Sequence, residues 1–266
     1  RSLDRAREAE ADIQSTVPGA SLEILPLDLA DLDSVAAFAE AFASGGTDNA
    51  RGLDLLVNNA GVMALPERRG TKQGLEMQMG VNVFGHFALT ARLLPHLLTA
   101  PEARTVWVSS IAHRDGRIDL DDLQSEHGYD PWTVYQQSKL ADLMLALEMQ
   151  RRLTDSGADA ISLAAHPGVS ATELTEDMME GSPIKRGLFN TLGGLFLMPA
   201  WKGALPSLVA AASPTVQPAD YVGPDGFREM RGDPKRAEIA PQAKSEETAQ
   251  RLWRACEVAT GLTMLS

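Results

Sequence analysis

The run Tyr135-Gln136-Gln137-Ser138-Lys139 carries residue types suited to moving a proton. It heads the segment Val134 to Leu153, which lacks Pro and Gly and reads as a long helix. On a helix Tyr135 and Lys139 stand at i and i+4 and share one face, about one turn apart. A free phenol ionises near about 10, and a neighbouring ammonium favours its phenolate form. Such a pair can pass a proton to or from a substrate oxygen. The same spacing also occurs on ordinary helix surfaces, so the pair alone defines no site.

The elements that would position it repeat a strand–helix alternation. Residues 3–15 read as the end of an amphipathic helix, and Pro18-Gly19 as a turn. Leu22 to Leu27 reads as a strand that stops before Asp28. Asp31 caps a helix to about Ala43, with Leu32, Val35, Phe38, Ala39 and Phe42 on one side and Gly45-Gly46 ending it. Leu53 to Val57 is a strand followed by Asn58-Asn59-Ala60-Gly61. Thr71 is expected to cap a helix running to Leu98, with Gly80, Gly85 and Pro95 as irregularities. Thr105 to Val108 ends in Ser109-Ser110, and a loop of about two dozen residues leads to Tyr135. Ala160 to Ala164 stops at His166-Pro167-Gly168. Trp201–Ala212 reads as a helix, Tyr221-Val222 as a last short edge strand, and Glu246–Ala259 as a closing helix.

Continuous apolar strands alternating with helices predict an α/β fold, a doubly wound, mostly parallel, Rossmann-like sheet with helices on both faces. Polar residues follow each strand: Asp28, Asn58/Asn59, Ser109/Ser110 and Pro167/Gly168. Ligands of such sheets bind at that edge. Each residue also has a plainer reading. Ser109 and Ser110 could satisfy turn backbone, and Asn82 could be a helix irregularity between two glycines.

The chain has 266 residues, 44% of them hydrophobic, and one domain over 1–266 is expected. A formal charge of −12 argues against a nucleic-acid partner. No apolar run is long enough to span a bilayer. The single Cys256 excludes an internal disulfide and fits a reducing, cytoplasmic compartment. The five histidines show no metal-ligand spacing, so no metal is expected. Residues 173–200 are rich in Met, Leu and Gly. Together with the next helix they read as a substrate-side lobe, 173–212, lining an oily substrate; packing or an oligomer contact would use the same composition.

Taken jointly, these residues resemble the short-chain dehydrogenase/reductase family over essentially the whole chain. The resemblance rests on Asn58-Asn59-Ala60-Gly61, Asn82, Ser109-Ser110, Tyr135-x-x-x-Lys139, and Pro167-Gly168 with Thr172. Within it the retinol-dehydrogenase-like, WW-domain-oxidoreductase-like branch is nearest. Its marks are Asp54 to Met63, Val108-Ser109-Ser110-x-Ala112-His113, His166-Pro167-Gly168, Leu252-Trp253, and the long interval between Ser110 and Tyr135. The resemblance implies hydride transfer between a nicotinamide cofactor and an alcohol/carbonyl pair on an apolar substrate. Tyr135 would be the general acid/base and Ser110 would hold the substrate oxygen. Lys139 would bind the ribose and favour the phenolate, and Asn82 would support a water relay. The cofactor would lie along Asp28, Leu29, Asn58, Ala60, Gly61, Tyr135, Lys139, Pro167, Gly168, Val169 and Thr172. His113 and His166 are expected to be structural. Members commonly pair two long helices, here roughly 71–98 and 132–155, into a homodimer or homotetramer, although monomers occur in the branch.

One family part is missing: no G-x-x-x-G turn precedes Asp28 to cradle a pyrophosphate. By comparison with the family, about 35 to 45 residues carrying the first strand, Gly-rich turn and helix are absent, and a longer natural protein is expected. The alternative is a non-catalytic structural or regulatory relic of the same fold. Arg1 stands where a basic residue would meet the 2′-phosphate of NADP, which favours NADP, with NAD as the second choice.

Overall fold

The computed structural model describes residues 2–45, 52–169 and 198–265. Helix α1 (Leu3–Thr16) buries none of its side chains. In α2 (Leu32–Ser44) the Asp31 carboxylate accepts the Asp33 N–H, as an N-cap should, and Val35, Ala39 and Phe42 turn into the core. The Leu22–Leu27 run is not a strand of the sheet. Its apolar run has strand propensity, but a strand is defined by its ladder, which sequence propensity cannot supply.

The sheet of the described residues is ordered β1-β2-β3-β4-β5. Strands β1 (Leu55–Asn58), β2 (Arg104–Val108), β3 (Ile161–Ala165) and β4 (Tyr221–Pro224) run parallel. β5 (Pro234–Arg236) adds antiparallel to β4, so the expected edge strand at Tyr221 is interior and fully buried. At the other edge β1 alternates, leaving Leu55 and Val57 each 38% exposed. An outer strand has one neighbour and less cover than a central one.

Between β1 and β2 the chain does not start its helix at Thr71. Thr71 instead closes a tight turn with Gly74 at φ +81°, and Glu76 caps α3 (Met77–Met79) by accepting the Met79 N–H. A π-helical turn, Gly80–Gly85, follows and runs into α4 (His86–Thr99). The two glycines that looked like irregularities bound this turn. A Cβ at Gly85 would lie 2.6 Å from the Leu29 carbonyl oxygen, so only glycine admits the approach.

Helix α5 (Pro131–Asp155) is capped by Asp130 and carries Pro131 in its first turn. It packs on β2 and β3 and against α7 (Glu246–Thr260). On the opposite face α6 (Ala200–Ala212) meets β2, β3 and β4, closing Ala210 over Val106, Leu163, Ala165 and Val222. The sheet is thus parallel-dominated with helices on both faces, as the alternation predicts. The expected inner face of the closing helix (Ala249, Leu252, Trp253, Cys256) is wholly buried. Most of the expected substrate-side lobe, 173–197, lies outside the described residues, as does Gly46.

Trp253 joins three helices. Its ring meets Phe87 edge-on at 5.1 Å and receives the Arg152 guanidinium at 4.6 Å. Trp253→Ala is expected to lower unfolding free energy by about 3–5 kcal/mol in a denaturant melt. A loss below about 1 kcal/mol would contradict this packing role.

Candidate active site

The parallel ladder sets the C-terminal ends of β1, β2 and β3 side by side, and the polar residues after each strand gather there. Asn58 closes β1. Its Nδ2 donates to Thr90 Oγ1 of α4 at 2.9 Å, while its buried Oδ1 has no hydrogen-bond partner among the described residues. Ala60 and Gly61 follow. A Cβ at Gly61 would sit 3.2 Å from Asn82 Oδ1 and 3.8 Å from Lys139 Nζ. Asn82 projects from the π-helical turn, and its amide is engaged by protein partners. Oδ1 accepts the Val62 N–H at 2.9 Å, and Nδ2 donates to Val62 O and Ser138 Oγ at 3.0 and 2.9 Å.

At the end of β2, Ser109 N–H donates to Ala165 O and Ser109 Oγ donates to Lys139 O at 2.6 Å. The strand end is therefore tied to β3 and to α5. Ser110 Oγ accepts the Ala112 N–H at 3.2 Å and opens the 3₁₀ turn Ile111–Arg114, which packs on α5. Tyr135 lies in the first turns of α5, buried, with its ring beside Trp132 at 5.4 Å. Lys139, one turn on, is buried as well. Its ammonium donates to Val108 O at 3.0 Å and to Asp142 Oδ2 at 2.8 Å.

The Lys139–Asp142 pair is a buried ion pair, with side chains 6% and 2% exposed. Burial favours the neutral amine, but the Asp142 carboxylate and the nearby Tyr135 outweigh it and hold Lys139 above its ordinary value. Burial pushes the Asp142 carboxyl up to about 6, with Lys139 pulling the other way.

Beyond β3, Gly168 sits at φ +69° in a turn where a Cβ would lie 2.5 Å from Met230 O. Pro167, Gly168 and Val169 thus line the third strand end, and the Val169 N–H donates to Met230 O at 2.7 Å. Asp28 and Leu29 occupy the turn leading to α2. Asp28 Oδ1 accepts the Ala30 N–H, and Leu29 is a core residue. Arg1 and Thr172 lie outside the described residues.

Sequence reasoning missed Asp142, which was legible: a carboxylate at i+3 from Lys139 inside an apolar helical run. It also missed Arg114, Tyr221 and Glu229. These meet through loops far apart in sequence, and no local spacing announces them.

A Rossmann-like sheet with a Tyr–Lys pair on the helix beside a Ser-ended strand defines a class, the dinucleotide-dependent oxidoreductases. The family model for short chain dehydrogenase matches residues 1–182, and the chain belongs to that family, in its retinol-dehydrogenase-like branch. It is 38% identical over 253 residues to mouse polyprenol dehydrogenase, covering 94% of this chain and 71% of that protein. Human retinol dehydrogenase 12 is 35% identical over 259 residues, covering 97% and 76%. The crystal structure of an uncharacterized protein from Mycobacterium paratuberculosis is similar at TM-score 0.75 and 37% identity. The match spans 96% of this chain and 81% of that one. Among the described residues no helix is long and apolar enough to cross a membrane.

His86, fully enclosed behind Asn82, donates from Nδ1 to the Asn82 carbonyl at 2.8 Å. Burial, aided by the Lys139 charge and opposed by that hydrogen bond, pushes its pKa down to about 4. The unfolded imidazole titrates near about 6.5, so the folded state requires the neutral ring. Its contribution is complete above about 6.5 and is lost as pH falls toward 4. His86→Asn, which can keep the donor, is expected to remove about 3 kcal/mol of the stability lost between those pH values. An unchanged slope of unfolding free energy with pH would contradict this.

Proposed function

We propose that the protein catalyses hydride transfer between a nicotinamide cofactor and an alcohol/carbonyl pair on an apolar substrate, with Tyr135 as the general acid/base. The observation that carries this reading is the placement of Tyr135 and Lys139 one turn apart on α5, which packs along the Ser110 end of β2. The bound cofactor supplies or accepts the hydride, and the protein supplies placement and proton transfer. The Asn58 Oδ1 at the end of β1, buried and without a hydrogen-bond partner among the described residues, suits a ligand that brings hydroxyl donors to this strand end.

Ser110 Oγ is the donor that would hold the substrate oxygen in reach of the Tyr135 hydroxyl. In the reducing direction Tyr135 gives its proton to that oxygen; in the oxidising direction it takes one. Lys139 stays charged through Asp142, and it is the group proposed to meet the ribose. Asn82 fixes Ser138 and Val62, and with them the wall beside Lys139; its proposed link to a water relay completes the path to solvent. Asp28, Leu29, Ala60, Pro167, Val169 and Thr172 are assigned to the remaining cofactor contacts. Arg1 supports NADP(H) over NAD(H), as a basic partner for a 2′-phosphate. The names of the relatives refer to polyprenol and retinol, alcohols on long apolar chains, and this supports an apolar substrate.

With NADPH and retinaldehyde as the assay pair, Tyr135→Phe is expected to cut turnover about 10²–10⁴-fold while nucleotide affinity stays within about threefold. Equal loss of both would remove the proton-transfer role. Lys139→Ala is expected to reduce both turnover and affinity, and an unaltered affinity would argue against its contact with the ribose.

A further inference from the structure

Behind Ser110 and Gly168 runs a buried polar strut that the proton-transfer scheme does not use. His166 is buried at the end of β3. Its Nδ1 accepts the Gly168 N–H at 3.2 Å, and its Nε2 lies 3.2 Å from Glu229 Oε2. An N–H can be given only to a bare ring nitrogen, so Nδ1 carries no proton and Nε2–H donates to the carboxylate. His113 shows the opposite tautomer. Its Nδ1 reaches the Ser110 carbonyl at 2.7 Å and must donate, leaving Nε2 to accept from Ala240 N–H at 3.5 Å. Tyr221 stands between the two imidazoles, at ring distances of 5.3 Å to His113 and 5.1 Å to His166.

Glu229 is held in place from several directions. Arg114 Nη2 donates to its Oε2 at 2.6 Å and Arg114 Nη1 to the Arg228 carbonyl at 3.0 Å. Glu238 N–H donates to Oε1 at 3.0 Å, and Lys235 Nζ stands 3.7 Å from the same oxygen. Arg228 and Glu229 adopt φ of +52° and +58°, a conformation disfavoured for side-chain-bearing residues and kept only where surroundings enforce it. The next residue, Met230, receives the Val169 N–H. Space is equally constrained: a Cβ on Gly223 would collide with the His166 ring.

We propose that Glu229 and His166 are positioning residues: the Glu229 carboxylate fixes the Nε2–H tautomer of His166, and the bare Nδ1 sets the Gly168 N–H on the nicotinamide side of the site. The ligand half of this statement rests on the function proposed above; the hydrogen-bond half does not. Burial disfavours the imidazolium and keeps His166 below its ordinary value, against the pull of Glu229. The groups facing the ring are Glu229 and Arg114, with His113 and the Tyr221 phenol beyond.

Two isosteres separate this role from mere space-filling. Asn places an oxygen where Nδ1 stands, and Gln places its amide where Nε2 stands. His166→Asn is expected to keep the Gly168 amide protected from hydrogen exchange and to hold the NADPH Kd within about threefold. His166→Gln is expected to expose that amide and weaken NADPH about tenfold. Imidazole ¹⁵N resonances of the wild type are expected to show Nε2 protonated and Nδ1 bare, which requires no variant to fold. A wild-type Nδ1–H tautomer, or equal Gly168 protection in both variants, would overturn the hydrogen-bond half. Loss of amide protection without a change in Kd would overturn the coupling to the cofactor. A wild type that binds neither NADPH nor NADH while keeping the predicted tautomer would overturn the proposed function and this coupling, and leave the strut standing.

Discussion

A buried ammonium is the constraint on which the site depends. Taking a lysine head group out of water costs several kcal/mol unless partners replace the lost solvation. Lys139 meets that demand with the Val108 carbonyl and the Asp142 carboxylate. The first partner fixes α5 against the last residue of β2; the second lies on α5 itself and keeps the charge in place. Ser109 adds a hydrogen bond to the Lys139 carbonyl, so strand end and helix are joined at side chain and backbone together. The helix turn that bears Tyr135 therefore has little freedom relative to Ser110.

Around this anchor, the other strand ends are tied by different chemistry. Asn82 reaches from the π-helical turn to Ser138 on α5 and to both backbone groups of Val62. π-Helical turns in longer helices are often found at functional sites, since the wider turn redirects a side chain without ending the helix. On the far side, His113 and Tyr221 hold the Ser110 carbonyl and Glu229 and His166 hold the Gly168 amide, and the Tyr221 ring packed against both imidazoles joins the two groups. Their members come from the Ser110 turn, from β3 and β4, and from the β4–β5 connection. The polar groups that face the proposed reaction are thus carried by rigid strands and helices, with a second layer of buried hydrogen bonds behind them.

Much of this was readable from the residues. Tyr135 and Lys139 share a face because four helical positions make about one turn, and Asp31 announces its helix by its side-chain oxygen. The polar residues after each strand converge because a parallel sheet aligns strand ends. What failed did so for physical reasons. Thr71 looks as good a cap as Glu76, and only tertiary closure around Gly74 decides between them. Leu22 to Leu27 has strand composition without a place in the ladder. Tyr221 seemed an edge because the short β5, containing Pro234 and two basic residues, carries no strand signal of its own. Glu229 was illegible, since it reaches His166 through two left-handed residues between distant elements. Arg1, Thr172 and the 173–197 stretch lie outside the described residues.

Whether these strand ends hold a nicotinamide dinucleotide is tested most simply by the melting temperature with NADPH and with NADH at a series of concentrations. Ligand that binds only the folded state stabilises it by about 2.7 kcal/mol at a hundredfold excess over Kd. For a chain of this size that is a rise of several degrees, roughly 2–4 °C per kcal/mol. A concentration-dependent rise is expected, larger with NADPH. A melting temperature that neither nucleotide moves would contradict it.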